Sequence, residues 1–418
     1  MSPTHRSPRA GPTPSRLTVP SALASPPPAT VKKKRSRSRL PGPDLTVVEL
    51  FAGSGGLALG LAKAGLTSWD RIELNGACCE TLRANDSLLH TPRAGAVEAR
   101  DVHDVDFDQY RSVDLIAAGA PCQPFSQGGG LRGQYDERNM FPEVVRAIGE
   151  ARPRAFLIEN VRGLLFEKAA PYFKSVLARL RNPAVAAGRE ISDLYHLSAP
   201  GPGPDDEYSV HYALLNAADF GLAQNRPRLF IVGIRRGEGR WSWPAGRFSR
   251  SSLVDALRGD SYWDEHPVHE SIREAALRPI RLRDAPPEGK RWRTLRDLVA
   301  TLPEASTSSE GAADQAHVLV PGARLYAKHT GSRLDWVAKT VKAGVHGTPG
   351  GEHIVLLDDG THRYLTVREC AVLQGFPTSY TLPEKRTPAM RQLGNAVPVA
   401  VAEALGKRLS DTLALAHG

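Results

Sequence analysis

Cys122 is the residue with the most chemistry to offer in this chain. It stands between Pro121 and Pro124 in GAPCQPFSQGG, directly after the apolar run VDLIAAG. A thiolate is a strong nucleophile, and the end of a strand is where open α/β sheets bind ligands. The flanking prolines stiffen the backbone around it, and the glycines that follow (Gly128, Gly129, Gly130 and Gly133) suit a segment that closes over a bound molecule. A lone cysteine is more often a small buried hydrophobe, so the thiol needs partners. Glu159 ends the apolar run RAFLIEN, where the same sheet edge would aim its carboxylate into the same cleft. Partial burial there would raise its pKa and let it act as an acid; an ion pair with Arg162 is the alternative. Arg226 and Arg228 alternate in QNRPRLF, so an extended strand points both guanidiniums one way. Two such groups suit a carbonyl oxygen or a phosphate, or form an ordinary surface pair.

A second constellation lies upstream. In VELFAGSGGLALG a strand runs into a glycine-rich turn and then a helix, an arrangement that brings backbone close to a ligand. Gly53, Gly55 and Ala58 fit the loose G-x-G-x-x-G/A pattern, which also describes a plain tight turn. Glu73 follows Gly53 by 20 residues, where an acidic side chain can hold ribose hydroxyls. Asp101 is a further candidate, for an adenine amino group, with an exposed loop aspartate as the alternative. No histidine, cysteine and carboxylate cluster has metal-ligand spacing, so no metal is expected, and no Ser/His/Asp arrangement is readable.

The elements that must position these groups follow from hydrophobic periodicity. Short apolar runs at LTVVELF, VDLIAAG, RAFLIEN and RLFIVGI alternate with helical segments, for example around Met140 to Ala151. That pattern predicts an α/β fold, a largely parallel sheet with helices on both faces. YALLNAADF and RLFIVGI, separated by a short Gly/Asn/Pro segment, are expected to pair antiparallel at one sheet edge. The alternation breaks at residue 236. From there to about 335 the chain holds four of its six tryptophans (Trp241, Trp243, Trp263 and Trp292), and from Arg278 to Arg296 seven basic residues face two acidic ones. This predicts an inserted, loop-rich domain whose basic and aromatic residues suit nucleic-acid contact, although tryptophan is more often core. The predicted organisation is a tail at 1–44, a catalytic domain at 45–235, the insert at 236–335, and a return to the catalytic domain with a final helix at 336–418.

Charge and composition narrow the class. The chain is 41% hydrophobic and 24% charged, ordinary for a globular protein. Its net charge of +9 sits mostly in residues 1–44, where nine Lys and Arg meet one Asp; the rest is nearly neutral. The tail is rich in Pro and Ser, carries KKKRSRSR, and is predicted to be disordered, adding at most salt-sensitive affinity for phosphate. No membrane span or secretory signal is readable. The four cysteines, Cys78, Cys79, Cys122 and Cys370, form no disulfide framework, which predicts a reducing, intracellular setting.

Taken in order, these motifs resemble the DNA cytosine-5 methyltransferase family, bacterial and of the restriction-modification type. FAGSGG is similar to its cofactor loop, PCQPFS to its nucleophile loop, ENVRG to its acid motif and QNRPR to its arginine motif. RYLTVRECAVLQGFP (Arg363 to Pro377) and RQLGNAVP (Arg391 to Pro398) are similar to its two C-terminal motifs. The likeness runs from about residue 45 to 410, except across the insert. It implies a Rossmann-like S-adenosylmethionine-dependent methyltransferase fold with a smaller target-recognition domain at 236–335. It also implies that Cys122 attacks C6 of a cytosine flipped out of double-stranded DNA, with Glu159, Arg228 and Arg226 around the base. S-adenosyl-L-methionine would lie against Phe51, Ala52, Gly53, Gly55, Gly56, Glu73, Leu74, Asp101, Val102, Pro121, Asn395 and Val397. Arg368 would be structural and organise the insert. Two positions depart from the pattern: Leu74 stands where an aromatic often stacks on adenine, and Thr378 where Asp is usual. The resemblance further implies a monomer in the bacterial cytoplasm at the nucleoid, with a cognate restriction endonuclease or defence proteins as further partners. A nicotinamide-dependent oxidoreductase would leave PCQ, ENV and the arginines unexplained. An RNA methyltransferase of the same fold would have a shorter recognition region, and an inactive homologue would lack catalytic side chains that are all here.

Overall fold

The structure, a computed structural model, describes residues 45–415 apart from 91, 122–138, 184–202, 204, 279–285, 311, 327–329 and 346–350. The basic tail, Cys122, its glycine-rich sequel and part of the KAGVHGTPGGEH segment lie outside the described residues.

One sheet organises the chain, in the order β2-β1-β3-β4-β6-β5. Strands β1 (Thr46–Leu50), β2 (Thr67–Ile72), β3 (Leu115–Gly119) and β4 (Ala155–Val161) run parallel. Strand β6 (Pro227–Arg235) runs antiparallel to β4, and β5 (Tyr208–Asn216) pairs antiparallel with β6 at the edge, as the sequence predicts. The apolar runs are strands because both of their faces are covered. Val48, Leu50, Ile116, Ala118, Phe156 and Ile158 point into one core with helices α4 (Phe141–Ala151) and α5 (Ala170–Arg181). Their neighbours Val47, Leu115, Ala117, Ala155 and Leu157 point into another, against α1 (Gly56–Lys63) and the final helix α12 (Val399–Ala414). The period-2 alternation thus separates two cores on opposite faces of the sheet.

Helix α12 reaches α1 across a strip of small residues. A Cβ at Gly56 would stand 2.4 Å from the Val397 carbonyl oxygen, and one at Gly60 would stand 2.3 Å from the Ala402 Cβ. The four-residue spacing puts both glycines on one face of α1. Only their missing side chains let the end of the chain lie against its beginning. Helices α2 (Gly76–Ala84), capped by Asn75, and α3 (Asp86–Leu89) complete the flank beside β2.

Residues after β6 build a second unit with its own small core. Helices α6 (Arg250–Arg258), α7 (Ser261–Glu265) and α8 (Glu270–Leu277) gather Leu253, Leu257, Tyr262 and Trp263, with Trp292 and Trp336 packed against them. The two-residue strands β7 (Phe248–Ser249) and β8 (Lys290–Arg291) pair, and α9 (Leu295–Val299) follows with a capping box from Thr294 and Asp297. Strands β9 (Ser332–Arg333), β10 (Ile354–Leu356) and β11 (His362–Tyr364) form a three-stranded sheet. Helices α10 (Val367–Leu373) and α11 (Arg386–Asn395) lead back to α12.

The insert differs from its sequence reading in three ways. Contacts cross the expected limits of 236 and 335: Trp241 and Trp243 stack edge to face at 5.4 Å on the main sheet's core, and β10 and β11 continue the small sheet beyond 335. Trp241 and Trp263 are buried among apolar partners, Trp263 being 5% exposed, and the partly buried Trp292 donates its indole N–H to Asp219 at 2.9 Å. Two of the run's arginines are engaged by carboxylates. Arg291 pairs with Asp297 at 2.7 Å and Glu265 at 2.5 Å, and Arg296 pairs with Asp335 at 2.6 Å and Asp358 at 2.7 Å. A small unit with few apolar residues uses these ion pairs as internal cross-links. Arg368 does join the insert to the core, holding Asp314 at 2.6 Å and the Tyr380 carbonyl oxygen at 2.8 Å.

Candidate active site

The carboxyl ends of β1, β3 and β4 open on one side of the sheet, and antiparallel β6 begins there. Register makes the meeting specific: Gly119 lies opposite Glu159, and Val161 opposite Arg228. Parallel strands thus deliver their following loops to this edge, while β6 delivers its first side chains. The cleft between them has a volume of about 380 Å³. Of the residues expected to bind a cofactor, Phe51, Ala52, Gly53, Gly56, Glu73, Pro121, Asn395 and Val397 line it.

Glu73 is held in place by main chain. One carboxylate oxygen accepts from Gly53 N–H at 2.8 Å and the other from Asn75 N–H at 2.7 Å. The acidic residue therefore buttresses the glycine turn while facing the cleft. Gly55, at φ 83°, lies beneath the Tyr380 side chain, whose hydroxyl donates to the Ser54 carbonyl at 2.6 Å.

At the other end, Glu159 is 7% exposed. Burial pushes its carboxyl above the usual carboxylate range, with Arg228 and Arg226 pulling the other way. Arg228 Nε lies 3.1 Å from a Glu159 oxygen, so the acid pairs with Arg228 and not with Arg162. The next residue, Asn160, is fully buried and donates to the Ala120 carbonyl at 3.4 Å. The acid motif thereby holds the strand end that leads into the Cys122 loop. The thiol itself lies outside the described residues.

Arg226 lies deeper than Arg228. It does line the cleft, but its guanidinium is committed to three main-chain carbonyls: Val341 at 2.7 Å, Gly394 at 2.7 Å and Ala396 at 2.9 Å. The two-residue spacing sends both arginines to one side of β6. Their reach differs because Arg226 lies deeper, 1% exposed, where unpaired carbonyls compete for it. Gly55, Leu74, Asp101 and Val102 fall outside the cleft lining. Leu74 is 63% exposed. Asp101 caps a short 3-10 turn, where the backbone N–H and ring of His103 hold its carboxylate below the usual range. Val102 is buried in the core beneath α4.

Several residues with a part in the site were missed. Glu49, on β1, lines the cleft and is 2% exposed. Burial pushes its pKa up to about 8, against the pull of Arg71 opposite it on β2. Gln392 ties α11 to α2 through the Ala77 carbonyl and Thr81, both at 3.0 Å. Gln224 holds Val341 N–H at 2.8 Å and donates to the Leu373 carbonyl at 3.0 Å. Gln224, Tyr380 and Gln392 sit inside or beside recognisable motifs, but their partners are distant in sequence and carry no signal. Among the described residues one carboxylate and histidine group, Glu265, His266 and Asp297, is close enough to hold a metal. Arg291 already bridges both carboxylates there. No helix of the described residues is long and apolar enough to cross a membrane.

Comparison with known proteins gives a consistent result. The family model for C-5 cytosine-specific DNA methylase matches residues 45–183 and 204–411. The type II methyltransferase M.Eco47II of Escherichia coli is 32% identical over 376 residues, covering 88% of this chain and 79% of its own. The type II methyltransferase M.NgoMIV of Neisseria gonorrhoeae is 31% identical over 369 residues, covering 88% and 98%. Among solved structures, the S. pombe Dnmt2 methyltransferase superposes with a TM-score of 0.54 at 18% identity, covering 88% of this chain and 98% of its own. A Spodoptera frugiperda DNMT2 variant does so with a TM-score of 0.55 at 17% identity, covering 88% and 99%. At those identities the structural likeness speaks for the fold.

Proposed function

The chain belongs to the C-5 cytosine-specific DNA methylase family, and from that premise we propose that its cleft holds S-adenosylmethionine beside a flipped-out cytosine, with Cys122 as nucleophile. The overall reaction is methyl transfer to C5 of cytosine in DNA. One observation carries the residue-level reading: a buried Glu159, its carboxyl pushed up by burial, is paired with Arg228 where a glycine turn and a fixed carboxylate form the rest of the cleft.

The lining suits the cofactor. Glu73 presents a fixed carboxylate to ribose hydroxyls, and Phe51, Leu57 and Val397 supply apolar surface. Asn75 and Asn395 add polar groups for the amino-acid portion. When bound, S-adenosylmethionine supplies an electrophilic methyl group. The chain does the rest. A cytosine inside a duplex is out of reach, so it must leave the stack. Protonated Glu159 donates to N3 and leaves an oxygen to accept from the exocyclic amine. Arg228 donates to O2. Both contacts draw electron density from the ring, so Cys122 can add to C6 and C5 becomes nucleophilic. Transfer of the C5 proton to solvent then restores the ring double bond and expels the Cys122 thiolate.

The insert faces double-stranded DNA in this reading and sets the target sequence. A bacterial restriction-modification or related defence setting follows from the type II relatives, and we place the enzyme at the nucleoid as a monomer. The test is to express the chain in a host without cytosine methylation and bisulfite-sequence the host DNA. Protected cytosines in one recurring context are expected. Complete conversion of every cytosine, with folded protein present, would refute the reading.

A further inference from the structure

We infer that Arg226 is a positioning residue that couples the cofactor cleft to the strip returning from the insert, so that ligand in the cleft tightens the grip on DNA. The inference rests on the cofactor reading above. One arm of the guanidinium donates to the Val341 carbonyl; the other donates to the carbonyls of Gly394 and Ala396. The last two bracket Asn395, which lines the cleft. Val341 belongs to the strip that ties the insert to the core. There Ala338 N–H donates to the Ala223 carbonyl at 2.8 Å and the Thr340 hydroxyl to the Asn225 carbonyl at 2.7 Å. Lys339, partly exposed on this strip, offers a cation to a phosphate backbone.

A guanidinium is a rigid planar fork. Carbonyls held on its two arms cannot shift independently without breaking a charge-assisted bond in a site closed to water, which is costly. Gln224 and Gln374 reinforce the link: Gln224 accepts from Val341 N–H at 2.8 Å, and Gln374 donates to the Leu393 carbonyl at 2.5 Å. Arg226 also directly precedes β6, which carries Arg228 to Glu159. Ordering Asn395 around a ligand therefore orders the strip and the base-contacting arginine together. A lysine, as a point charge on a flexible stem, cannot bridge both sides. Such coupling is reciprocal.

Two measurements test this. In wild-type protein, hydrogen exchange is followed with and without saturating S-adenosylhomocysteine. The amides of Ala338 and Val341 should exchange about threefold more slowly with ligand. Unchanged exchange there, with protection around Gly53 and Asn395, would overturn the inference. In the second, affinity for a duplex of the methylated context is measured with and without S-adenosylhomocysteine, in wild type and in Arg226→Lys. Ligand should tighten wild type about tenfold and the variant less than about twofold. A merely structural arginine would weaken both affinities and leave the ratio unchanged, and that result sinks the idea. If calorimetry finds no S-adenosylhomocysteine binding to wild type, the cofactor reading fails and the inference falls with it.

Discussion

Arginine serves opposite ends in the two halves of this molecule. At the edge of the main sheet, Arg228 meets a buried acid at the border of a cleft, where the pair can exchange its partner for a substrate. In the insert, Arg291 and Arg296 are each locked between two carboxylates, far from any reacting group. The difference is in what surrounds them. The sheet has a large apolar core on each face and can spare its polar groups for chemistry. The insert has a core of a few aromatics and leucines, so its charges are needed to hold it together. Local basic density is thus a poor guide to nucleic-acid contact unless the acidic partners are also counted.

The contrast can be broken most sharply at the sheet edge. Cys122→Ser should reduce methyl transfer by a factor on the order of 10⁴ or more, while calorimetric affinity for S-adenosylhomocysteine stays near wild type. Substantial residual turnover would move the nucleophile elsewhere. Glu159→Gln should cost about 10² to 10⁴ in rate. Because the folded-state pKa of Glu159 is raised and the protonated acid is the active form, wild-type activity should fall as pH rises through that pKa. The glutamine variant should lack that limb; a shared pH profile would exclude Glu159 as the group responsible.

Within the insert the expected effects are on stability. Arg296→Ala leaves Asp335, 6% exposed, without its cation although the Tyr262 hydroxyl still donates to it at 2.9 Å, and should cost about 3 kcal/mol, read as a lower thermal midpoint. The salt dependence of DNA binding should not change. A slope reduced by about one would instead assign this arginine to a phosphate. The smallest effect is expected at Glu49. Its folded-state pKa of about 8 lies above the unfolded value, so the native state holds a proton that the unfolded chain has lost. Stability should be greatest at pH below about 4 as far as this group is concerned, decline as pH rises toward 8, and then level off. Glu49→Gln should flatten that decline by a few degrees in thermal midpoint between pH 6 and 9. A parallel pH dependence in both proteins would count against the shift.

The site was legible in sequence to the extent that strand ends position it. GSGG, Glu73, Glu159 and Arg228 follow short apolar runs or lead into them, and the sheet order then brings them together without further information. The depth of Arg226 was not legible, because alternation tells direction and not depth. Three carbonyls more than 100 residues away decide its use. Asp101 and Leu74 were placed by spacing in loops, where no ladder of hydrogen bonds fixes direction. The insert was legible as a break in pattern, but its limits were not. Trp241 belongs to the main-sheet core beneath α1 and α12, and β10 joins the small sheet from beyond the expected boundary. Aromatic composition alone does not say which core a tryptophan enters.

The small-residue face of α1 bears on how the protein is made. The glycine turn and the groove that Gly56 and Gly60 leave open emerge early from the ribosome, yet Val397 and Ala402, which fill that groove, are some 340 residues downstream. At about 5 to 20 residues per second, the nascent chain spends tens of seconds with the first wall of its cleft built and the last one missing. Throughout that interval it presents a bare glycine face, apolar and unsealed, on α1. Methylating competence therefore waits until Val397 and Ala402 have been made, and a chain stalled before residue 397 would be a partly folded client for chaperones rather than a weak enzyme.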